Sequence, residues 1–279
     1  MTIFLGIDGG GTGCRAAVSD EAGCILGHGT AGPANVNTDL QGTLANVLAA
    51  AEEALAGRDP GQVIAVLGLA GANVRSAAEA LRASLPFAHT RIVSDAVTAA
   101  RGALGPNDGI VAAMGTGSVF AVQRNGVMRQ FGGRGFLLGD EGSGAVLGRT
   151  LLSRALRAED GFAEMTPLLH GILDEFGGVE GVIRFATTAR PAEFGTLTPR
   201  LIGSDDPAAE AIFGAAVAEV QGILTTLQGS SPLPVTFLGG LGPAYAARLS
   251  DLWTIRPALG SGVDGALAMA RELALVTEA

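Results

Sequence analysis

Residues 3–13 read IFLGIDGGGTG, a short apolar run that ends in an aspartate and a turn rich in glycine. Two more strand-like segments follow at residues 15–19 and 24–29, and a turn at residues 21–23 separates them. Three strands joined by tight turns predict an antiparallel meander. The chain then alternates between helical spacing and short apolar runs, which predicts a helix at 39–56, a strand at 63–69, a helix at 74–84, a strand at 91–93 and a helix at 96–103.

The same pattern starts again at residue 110. Residues 110–114 are apolar and end in Gly115-Thr116-Gly117-Ser118, and strands at 119–124 and 127–131 flank Asn125-Gly126, a strong hairpin signal. After helices at about 140–228, we expect a strand at 235–238, a short helix, a strand at 252–255 and a last helix at 261–276.

The repeat predicts an α/β chain of two lobes, each built on a β-β-β-α-β-α-β unit, with a central cleft that the first glycine turn of each lobe faces. We expect the N-terminal lobe to span residues 1–104 and to be joined by part of the last helix, 261–279. Residues 105–260 form the expected C-terminal lobe.

The composition excludes several classes of protein. Basic residues number 18 against 27 acidic ones, and a formal net charge of −9 disfavours nucleic acid as a partner. All 18 basic residues are arginines, which excludes a Schiff-base lysine and the lysine of the common phosphate-binding loop. Cys14 and Cys24 are the two cysteines, so a four-cysteine zinc or iron–sulfur site cannot form within one chain.

The start of the sequence runs directly into the first strand, with no basic segment followed by a long apolar one. No uninterrupted apolar run approaches the roughly 18 residues that a membrane span needs. The sequence therefore predicts a cytoplasmic protein with no membrane partner.

The glycine turns have the composition of phosphate-binding turns. Without a Cβ in the way, several backbone N–H groups of residues 9–13 can converge on an anion, and Thr12 adds a hydroxyl. The carboxylate of Asp8 would repel that anion unless a cation lies between them, which suggests Mg²⁺ carried by a nucleotide and held directly or through water. Residues 115–118 offer a second set of donors. A single glycine turn could equally do no more than close a hairpin.

Taken in order, these motifs resemble one family, the N-acetylglucosamine/glucosamine kinases of the BadF/BadG/BcrA/BcrD group in the actin-like sugar kinase and Hsp70 ATPase superfamily. The resemblance runs from about residue 3 to about residue 272 and implies the two-lobed actin-like, ribonuclease H-like ATPase fold. The motifs that carry it are Asp8-Gly-Gly-Gly-Thr12-Gly, Asp95 after a strand, Gly115-Thr-Gly-Ser118, Gly132-Gly-Arg-Gly, Gly139-Asp-Glu-Gly-Ser143 and Gly239-Gly240.

The resemblance implies Mg²⁺-dependent transfer of a phosphoryl group from ATP to the 6-hydroxyl of N-acetylglucosamine or glucosamine, with Asp95 as the catalytic base and Asp8 at the metal. The positions that match the ATP phosphate site are Gly9, Gly10, Gly11, Thr12, Gly13, Gly115, Thr116 and Gly117. Those that match the nucleoside site are Gly239, Gly240 and Ala244. Those that match the sugar site are Asn35, Asn37, Gly71, Asp95, Ser118, Gly133, Arg134, Gly135 and Asp140.

One residue departs from the family pattern, because Arg134 stands where the family usually has tryptophan. Arg134 either meets a carboxylate or phosphate on an unusual substrate or points to solvent. Other site residues have structural alternatives. Asp95 could cap the helix at 96–103, and Asp140-Glu141 could begin the next helix. Asn35 and Asn37 are also ordinary turn residues.

Three rival functions occur in this fold type. Zinc-containing sugar kinases and repressors need a cysteine-rich motif that this chain lacks. An ATPase activator of a radical dehydratase needs cluster cysteines in the helical segment, whereas Cys14 and Cys24 lie in the first meander. A sugar sensor on an inactive kinase fold is disfavoured by the retained Asp8 and Asp95. Family members are commonly dimers, so the resemblance implies a homodimer as the assembly of this chain.

Overall fold

The computed structural model describes residues 2–277. Met1, Glu278 and Ala279 lie outside the described residues, and with them the outer ends of the expected segments 1–104 and 261–279. The strands are β1 (Ile3–Gly9), β2 (Cys14–Ser19), β3 (Ile25–Ala31), β4 (Val63–Leu69), β5 (His89–Ser94), β6 (Gly109–Met114), β7 (Ser118–Arg124), β8 (Val127–Gly132) and β9 (Val235–Leu238). The helices are α1 (Leu40–Leu55), α2 (Arg75–Arg82), α3 (Asp95–Leu104), α4 (Gly144–Glu159), α5 (Pro167–Phe176), α6 (Gly178–Thr188), α7 (Pro191–Gly195), α8 (Pro207–Gln228), α9 (Gly242–Leu249) and α10 (Gly262–Thr277).

The first sheet has the strand order β3-β2-β1-β4-β5. Strands β1, β2 and β3 pair antiparallel, which confirms the predicted meander, and β4 and β5 extend the sheet in parallel. Every residue of β4 is buried, because a parallel strand at the centre of a sheet is covered on both faces. One apolar cluster includes residues of α1, and another includes residues of α10.

The second sheet has the order β8-β7-β6-β9, which repeats the order of the first four strands of the first sheet. Its hairpin turns at Asn125 and Gly126 with φ of 51° and 75°, the left-handed conformation that a tight hairpin needs. The expected strand at 252–255 is wrong, because only an isolated bridge joins Ile255 to Val235. Pro257 lies two residues after Ile255, and proline is depleted in strands, so the segment does not continue as one.

The chain divides into two compact units. The first comprises Met1–Gly109, Ala121–Gln130 and Pro257–Ala279, and the second comprises Ile110–Phe120 and Phe131–Arg256. This division differs from the expected boundary at residues 104 and 105 mainly in placing 121–130 with the first unit. The assignment of these units as folding domains stays a prediction.

Two glycines set the packing of α3 against α10 in the first unit. A Cβ at Gly265 would collide with the carbonyl oxygen of Thr98 and would lie 2.5 Å from the backbone nitrogen of Gly102. A Cβ at Gly102 would in turn collide with the carbonyl oxygen of Ser261. The two helices therefore touch backbone to backbone, and this contact fixes where α10 begins.

The longest helix, α8, packs in the second unit against α4, α5 and α9. By length and composition it could cross a membrane, although a buried helix of a soluble protein has the same character. One face is buried and includes Phe213, Val217 and Val220, whereas Glu219 on the other face is exposed. This one-sided burial is typical of a helix packed in a protein core.

Candidate active site

The first glycine turn, in the first unit, leaves its backbone open to an incoming ligand. β1 ends at Gly9, and the turn closes when the N–H of Gly10 donates to the carbonyl oxygen of Gly13 over 2.9 Å. No atom lies within 4 Å of the position that a Cβ would take at Gly10 or Gly11. Gly11 and Thr12 are exposed. The N–H groups of Gly11 and Thr12 can therefore approach an anion without a side chain in the way, as a phosphate site requires.

Asp8, at the end of β1, is held by two neighbours. Its Oδ2 accepts a hydrogen bond from Nη2 of Arg15 over 2.7 Å, and the Asp8 side chain is only 13% exposed. Its carboxylate also lies at the first residue of α10, where a Cβ on Gly262 would come within 2.7 Å of Cγ. Arg15 and the helix N-terminus both offset the negative charge. No group of three or more metal-ligating side chains occurs in residues 2–277, so Asp8 would hold a cation only together with other donors such as phosphate oxygens.

Asp95 directly follows β5 and is the first residue of α3. Ser94 occupies the cap position instead, and the Oδ1 of Asp95 accepts the N–H of Ala96 over 2.9 Å. Burial raises the pKa of Asp95 above its ordinary value, and the negative charge of Asp8 raises it further, while the bond from Ala96 opposes the shift. Asp95 is therefore not the helix cap, because that position belongs to Ser94, one residue earlier. Its carboxyl group has the raised pKa that suits a general base.

The structure brings Asn35, Asn37 and Gly71 together in the first unit. Oδ1 of Asn35 accepts the N–H of Asn37 over 3.1 Å, and a Cβ on Gly71 would lie 2.5 Å from that same oxygen. Gly71 has φ of +77°, so glycine suits both its conformation and its crowding. Backbone bonds from Ala34 to Gly10 and from Ala70 to Gly9 join this cluster to the glycine turn.

The second glycine turn lies in the second unit at the end of β6. The N–H of Gly115 donates to the carbonyl oxygen of Gly117 over 2.9 Å. The first N–H groups of α4, on Gly144 and Ala145, donate to the carbonyl oxygens of Gly115 and Thr116. The turn is therefore fixed to the start of a helix, which adds a favourable electrostatic environment for an anion.

Asp140 lies beside this second turn. It is 8% exposed and has φ of +61°, a left-handed conformation that aspartate tolerates better than most residues. Its Oδ1 accepts the N–H of Gly135 over 3.2 Å, and a Cβ on Gly117 would lie 2.9 Å from Oδ2. Burial raises its pKa, although the N–H groups of Gly135 and Ser118 act in the opposite direction.

The alternative role of Asp140-Glu141 as a helix start is wrong. Helix α4 begins at Gly144, and its cap is Ser143, whose Oγ accepts the N–H of Val146. Asp140 instead lies between the second turn and the loop at Gly133–Gly135, because its Oδ1 bonds to Gly135 and its Oδ2 lies beside Gly117. Ser118 also donates its hydroxyl to the carbonyl oxygen of Glu141 over 2.8 Å. In that loop Arg134 is exposed.

A cavity of about 700 Å³ in the second unit joins the second turn to the expected nucleoside positions. Gly115 and Thr116 line it together with Gly240 and Ala244. Gly239 is close by but has a packing role, because a Cβ there would collide with the carbonyl oxygen of Met114. The sequence did not predict the remaining lining residues, which are Gly144, Gly195, Thr198, Pro199, Ile202 and Leu241.

Tyr245, the residue after Ala244, is fully buried and was also not predicted. Its hydroxyl donates to the carbonyl oxygen of Gly142 over 2.6 Å. It therefore connects α9, at the cavity, to the segment that carries Asp140. Arg15 and Thr198 were missed as well, because no motif surrounds them and only the fold brings them to these turns.

Comparison with known proteins identifies amino-sugar kinases as relatives of this chain. The chain is 29% identical to the glucosamine kinase GspK of Vibrio cholerae, and the match covers 97% of this chain and 96% of the relative. It is 32% identical to an N-acetylmuramic acid/N-acetylglucosamine kinase of Clostridium acetobutylicum over 62% of this chain and 60% of the relative.

A crystal structure from Chromobacterium violaceum, assigned as an N-acetylglucosamine kinase, superposes with a TM-score of 0.84 at 29% identity, and the match covers 97% of this chain and 99% of that one. This likeness confirms the predicted actin-like α/β fold. The sequence profile of the BadF/BadG/BcrA/BcrD ATPase family matches residues 5–251. The chain therefore belongs to the BadF/BadG/BcrA/BcrD ATPase family.

Proposed function

We propose that this chain is an ATP-dependent kinase that transfers a phosphoryl group to the 6-hydroxyl of an amino sugar, N-acetylglucosamine or glucosamine. The observation that carries the proposal is Asp95, a half-buried carboxyl group with a raised pKa at the carboxyl end of β5. Membership of an ATPase family and similarity to curated amino-sugar kinases support the same reaction.

Asp95 acts in this proposal as the general base. Its carboxylate accepts the proton of the sugar hydroxyl while the phosphoryl group is transferred, and such a base contributes roughly 10²–10⁴-fold to the rate. The N–H of Ala96 holds Oδ1, which fixes the orientation of the carboxylate. Positioning of this kind accounts for much of the catalysis in phosphoryl transfer.

The two glycine turns bind the phosphates of ATP. The turn of the first unit is Gly9–Gly13, which includes Thr12. The turn of the second unit is Gly115–Gly117. The backbone is open at Gly10, Gly11 and Gly115, where an added Cβ would have no described atom nearer than the Gly117 oxygen, 4.0 Å from Gly115. Gly9 and Gly117 are packed instead, against Leu69 and Asp140. The cavity at Gly240 and Ala244 has the size and apolar lining that suit a nucleoside.

Bound Mg²⁺ would neutralise charge on the transferred phosphoryl group. Asp8 fits a role in holding it, directly or through water, because Mg²⁺ usually takes one or two carboxylates and completes its shell with phosphates and water. The pairing of Asp8 with Arg15 leaves its Oδ1 available for this purpose.

The proposed sugar-binding residues of the first unit are Asn35, Asn37 and Gly71. Those of the second unit are Ser118, Asp140 and the loop Gly133–Gly135. The buried Asp140 offers a carboxylate to sugar hydroxyls. We further propose a cytoplasmic location, with ATP and the sugar as partners and neither nucleic acid nor membrane. A homodimer is the assembly that the family resemblance suggests.

A coupled assay of ADP release with Mg-ATP tests the proposal across glucosamine, N-acetylglucosamine, N-acetylmannosamine and glucose. We expect turnover with an amino sugar, and Asp95→Asn should lower kcat by about 10²–10⁴-fold while sugar affinity stays within about tenfold. Asp251→Asn, which changes an exposed aspartate, is the matched control. Full activity of Asp95→Asn would contradict the role of Asp95 as the base. A rate of ADP release that is the same with and without every sugar would indicate an ATPase activator.

A further inference from the structure

We propose that the preferred acceptor carries an acidic group on a short apolar arm, and that a groove beside the Gly133–Gly135 loop receives this arm. The inference rests on the proposed function, because it assumes that this loop holds the sugar. It adds which residues of this chain would hold the arm and which amino sugar is preferred, neither of which follows from the name of the N-acetylmuramic acid/N-acetylglucosamine kinase of Clostridium acetobutylicum.

The groove lies within the second unit and measures about 1060 Å³. It begins at Arg134 and Gly135 and continues between α4 and the helices α6 and α7. Its walls are mostly apolar, and the rings of Phe136 and Phe194 pack at its base with centroids 5.2 Å apart. At the rim, Leu137 and Leu138 are 84% and 85% exposed. Apolar surface of this kind usually marks a place where a ligand or partner binds.

Two arginines line the same groove, and they are the charged residues among its described lining. Neither Arg134 nor Arg149 forms an ion pair with any residue between 2 and 277. Their positive charges are therefore not neutralised within this groove. Two unpaired cations on an apolar surface are complementary to a single anion attached to an apolar group.

Arg149 is held at the groove by Phe136. Its guanidinium carbon lies over the ring of Phe136, 4.9 Å from the centroid. Among the residues that the structure describes, its hydrogen-bond acceptor is the carbonyl oxygen of Phe136, which Nη1 meets at a long 3.4 Å. The remaining N–H groups on its edge stay available, and a guanidinium edge matches the geometry of a carboxylate.

The position of Arg134 connects the groove to the sugar. It lies between Gly133 and Gly135, and Gly135 donates its N–H to the proposed sugar ligand Asp140. Because Arg134 belongs to this loop and lines the groove together with Arg149, a substituent that leaves the bound sugar at this loop would enter the groove at Arg134. The usual tryptophan at this position would offer an apolar wall, whereas arginine offers charge-assisted hydrogen bonds.

The test compares N-acetylmuramic acid, an N-acetylglucosamine with a lactyl ether that ends in a carboxylate, with its neutral methyl ester and with N-acetylglucosamine. We expect kcat/KM for the acid to exceed that for the ester by about 10–100-fold, the usual value of a hydrogen bond to a charged group. Arg149→Gln should reduce this acid-to-ester ratio toward one. Raising the salt concentration should reduce the ratio in the unchanged protein, since both arginines are exposed.

Arg184→Gln is the matched control, because Arg184 lies on α6 but pairs with Glu180 and does not line the groove. It should leave the ratio unchanged. Turnover of the neutral sugars with no preference for the acid overturns the inference and leaves the kinase proposal intact, and so does an unchanged ratio in Arg149→Gln. Self-association that Leu138→Asp abolishes, with no effect on the ratio, would assign the groove to a second copy. Failure of every sugar overturns both proposals.

Discussion

The carboxyl group of Asp95 makes a specific prediction about pH. Only the deprotonated carboxylate accepts a proton, so kcat/KM should fall as pH drops through the pKa of this group. Burial, and then the charge of Asp8, raise that pKa above the ordinary 3.8 of aspartate. The acidic limb of the pH profile should therefore lie at higher pH than an unperturbed aspartate gives, and steady-state rates between pH 4 and 9 would locate it.

Asp8→Asn separates the two causes of the shift. It removes the negative charge, so the pKa of Asp95 should fall and the acidic limb should move to lower pH, whatever happens to the maximal rate. Asp251→Asn changes a distant exposed charge and should leave the midpoint in place. A limb that stays fixed in Asp8→Asn, or moves upward, would contradict the assignment of this limb to Asp95.

Tyr245 allows a second prediction, about stability. Tyr245→Phe keeps the buried ring but removes the hydroxyl that donates to Gly142, which leaves a buried carbonyl oxygen without this bond. An unsatisfied buried polar group costs about 1–3 kcal/mol. We expect the free energy of unfolding in urea to fall by that amount, and KM for the sugar to rise because the segment that carries Asp140 loses an anchor.

The control for this variant is Thr225→Val on the exposed face of α8, which also removes one hydroxyl bonded to a backbone oxygen. It should change the free energy of unfolding by less than about 0.5 kcal/mol. Equal effects of the two substitutions would show that burial of the Tyr245 bond has no special weight.

The sequence could predict the residues that lie in glycine-rich motifs, because such turns have a recognisable composition and order. It could not predict Arg15, Thr198 or Tyr245. Arg15 reaches Asp8 only because β1 and β2 pair in the register that puts these two residues opposite each other. Thr198 and Tyr245 reach their neighbours through the packing of helices that are distant in sequence.

Helix packing gives a prediction at the scale of elements. Gly265→Ala would place a methyl group against the backbone of α3 at Thr98 and Gly102, and neither backbone can yield without moving a helix. Overpacking of this kind costs typically about 1–3 kcal/mol, occasionally more. We expect a lower free energy of unfolding and also a lower kinase rate, because α10 begins at Gly262, beside the carboxylate of Asp8.

Gly222→Ala is the matched control, since Gly222 also lies inside a helix but has nothing within 4 Å of an added Cβ. This substitution should stabilise the protein by up to about 1 kcal/mol through helix propensity alone. Urea unfolding of both variants would check the pair. A loss of stability in Gly222→Ala, or none in Gly265→Ala, would contradict the packing argument.

Periodicity was sufficient for most elements, because strands such as β4 and helices such as α1 carry long and regular apolar patterns. It failed at residues 252–255, where an apolar segment suggested a strand. A strand needs a partner over several residues, and here an isolated bridge between Val235 and Ile255 is the pairing that forms. Such tertiary limits are not visible in a local pattern.

At the scale of the whole molecule, ligand binding should raise thermal stability. A non-hydrolysable ATP analogue with Mg²⁺, at one hundred times its Kd, should add about 2.7 kcal/mol to the free energy of unfolding. Scanning calorimetry would show an increase of a few degrees in Tm, and Mg²⁺ alone should give a smaller one. No shift with millimolar nucleotide would contradict ATP binding.

The duplication was the part of the fold that the sequence predicted best, because the pattern of strand, glycine turn and hairpin occurs twice along the chain. The position of residues 121–130 with the first unit was not predicted. Sequence patterns mark elements but give no measure of which residues group together in space.

The division into two units also has an optical consequence. The single tryptophan, Trp253, and the single tyrosine, Tyr245, both belong to the second unit. Intrinsic fluorescence therefore reports on that unit alone, and any event confined to the first unit is invisible to direct excitation at 280–295 nm. A tryptophan placed in the first unit would give each half of the molecule its own signal.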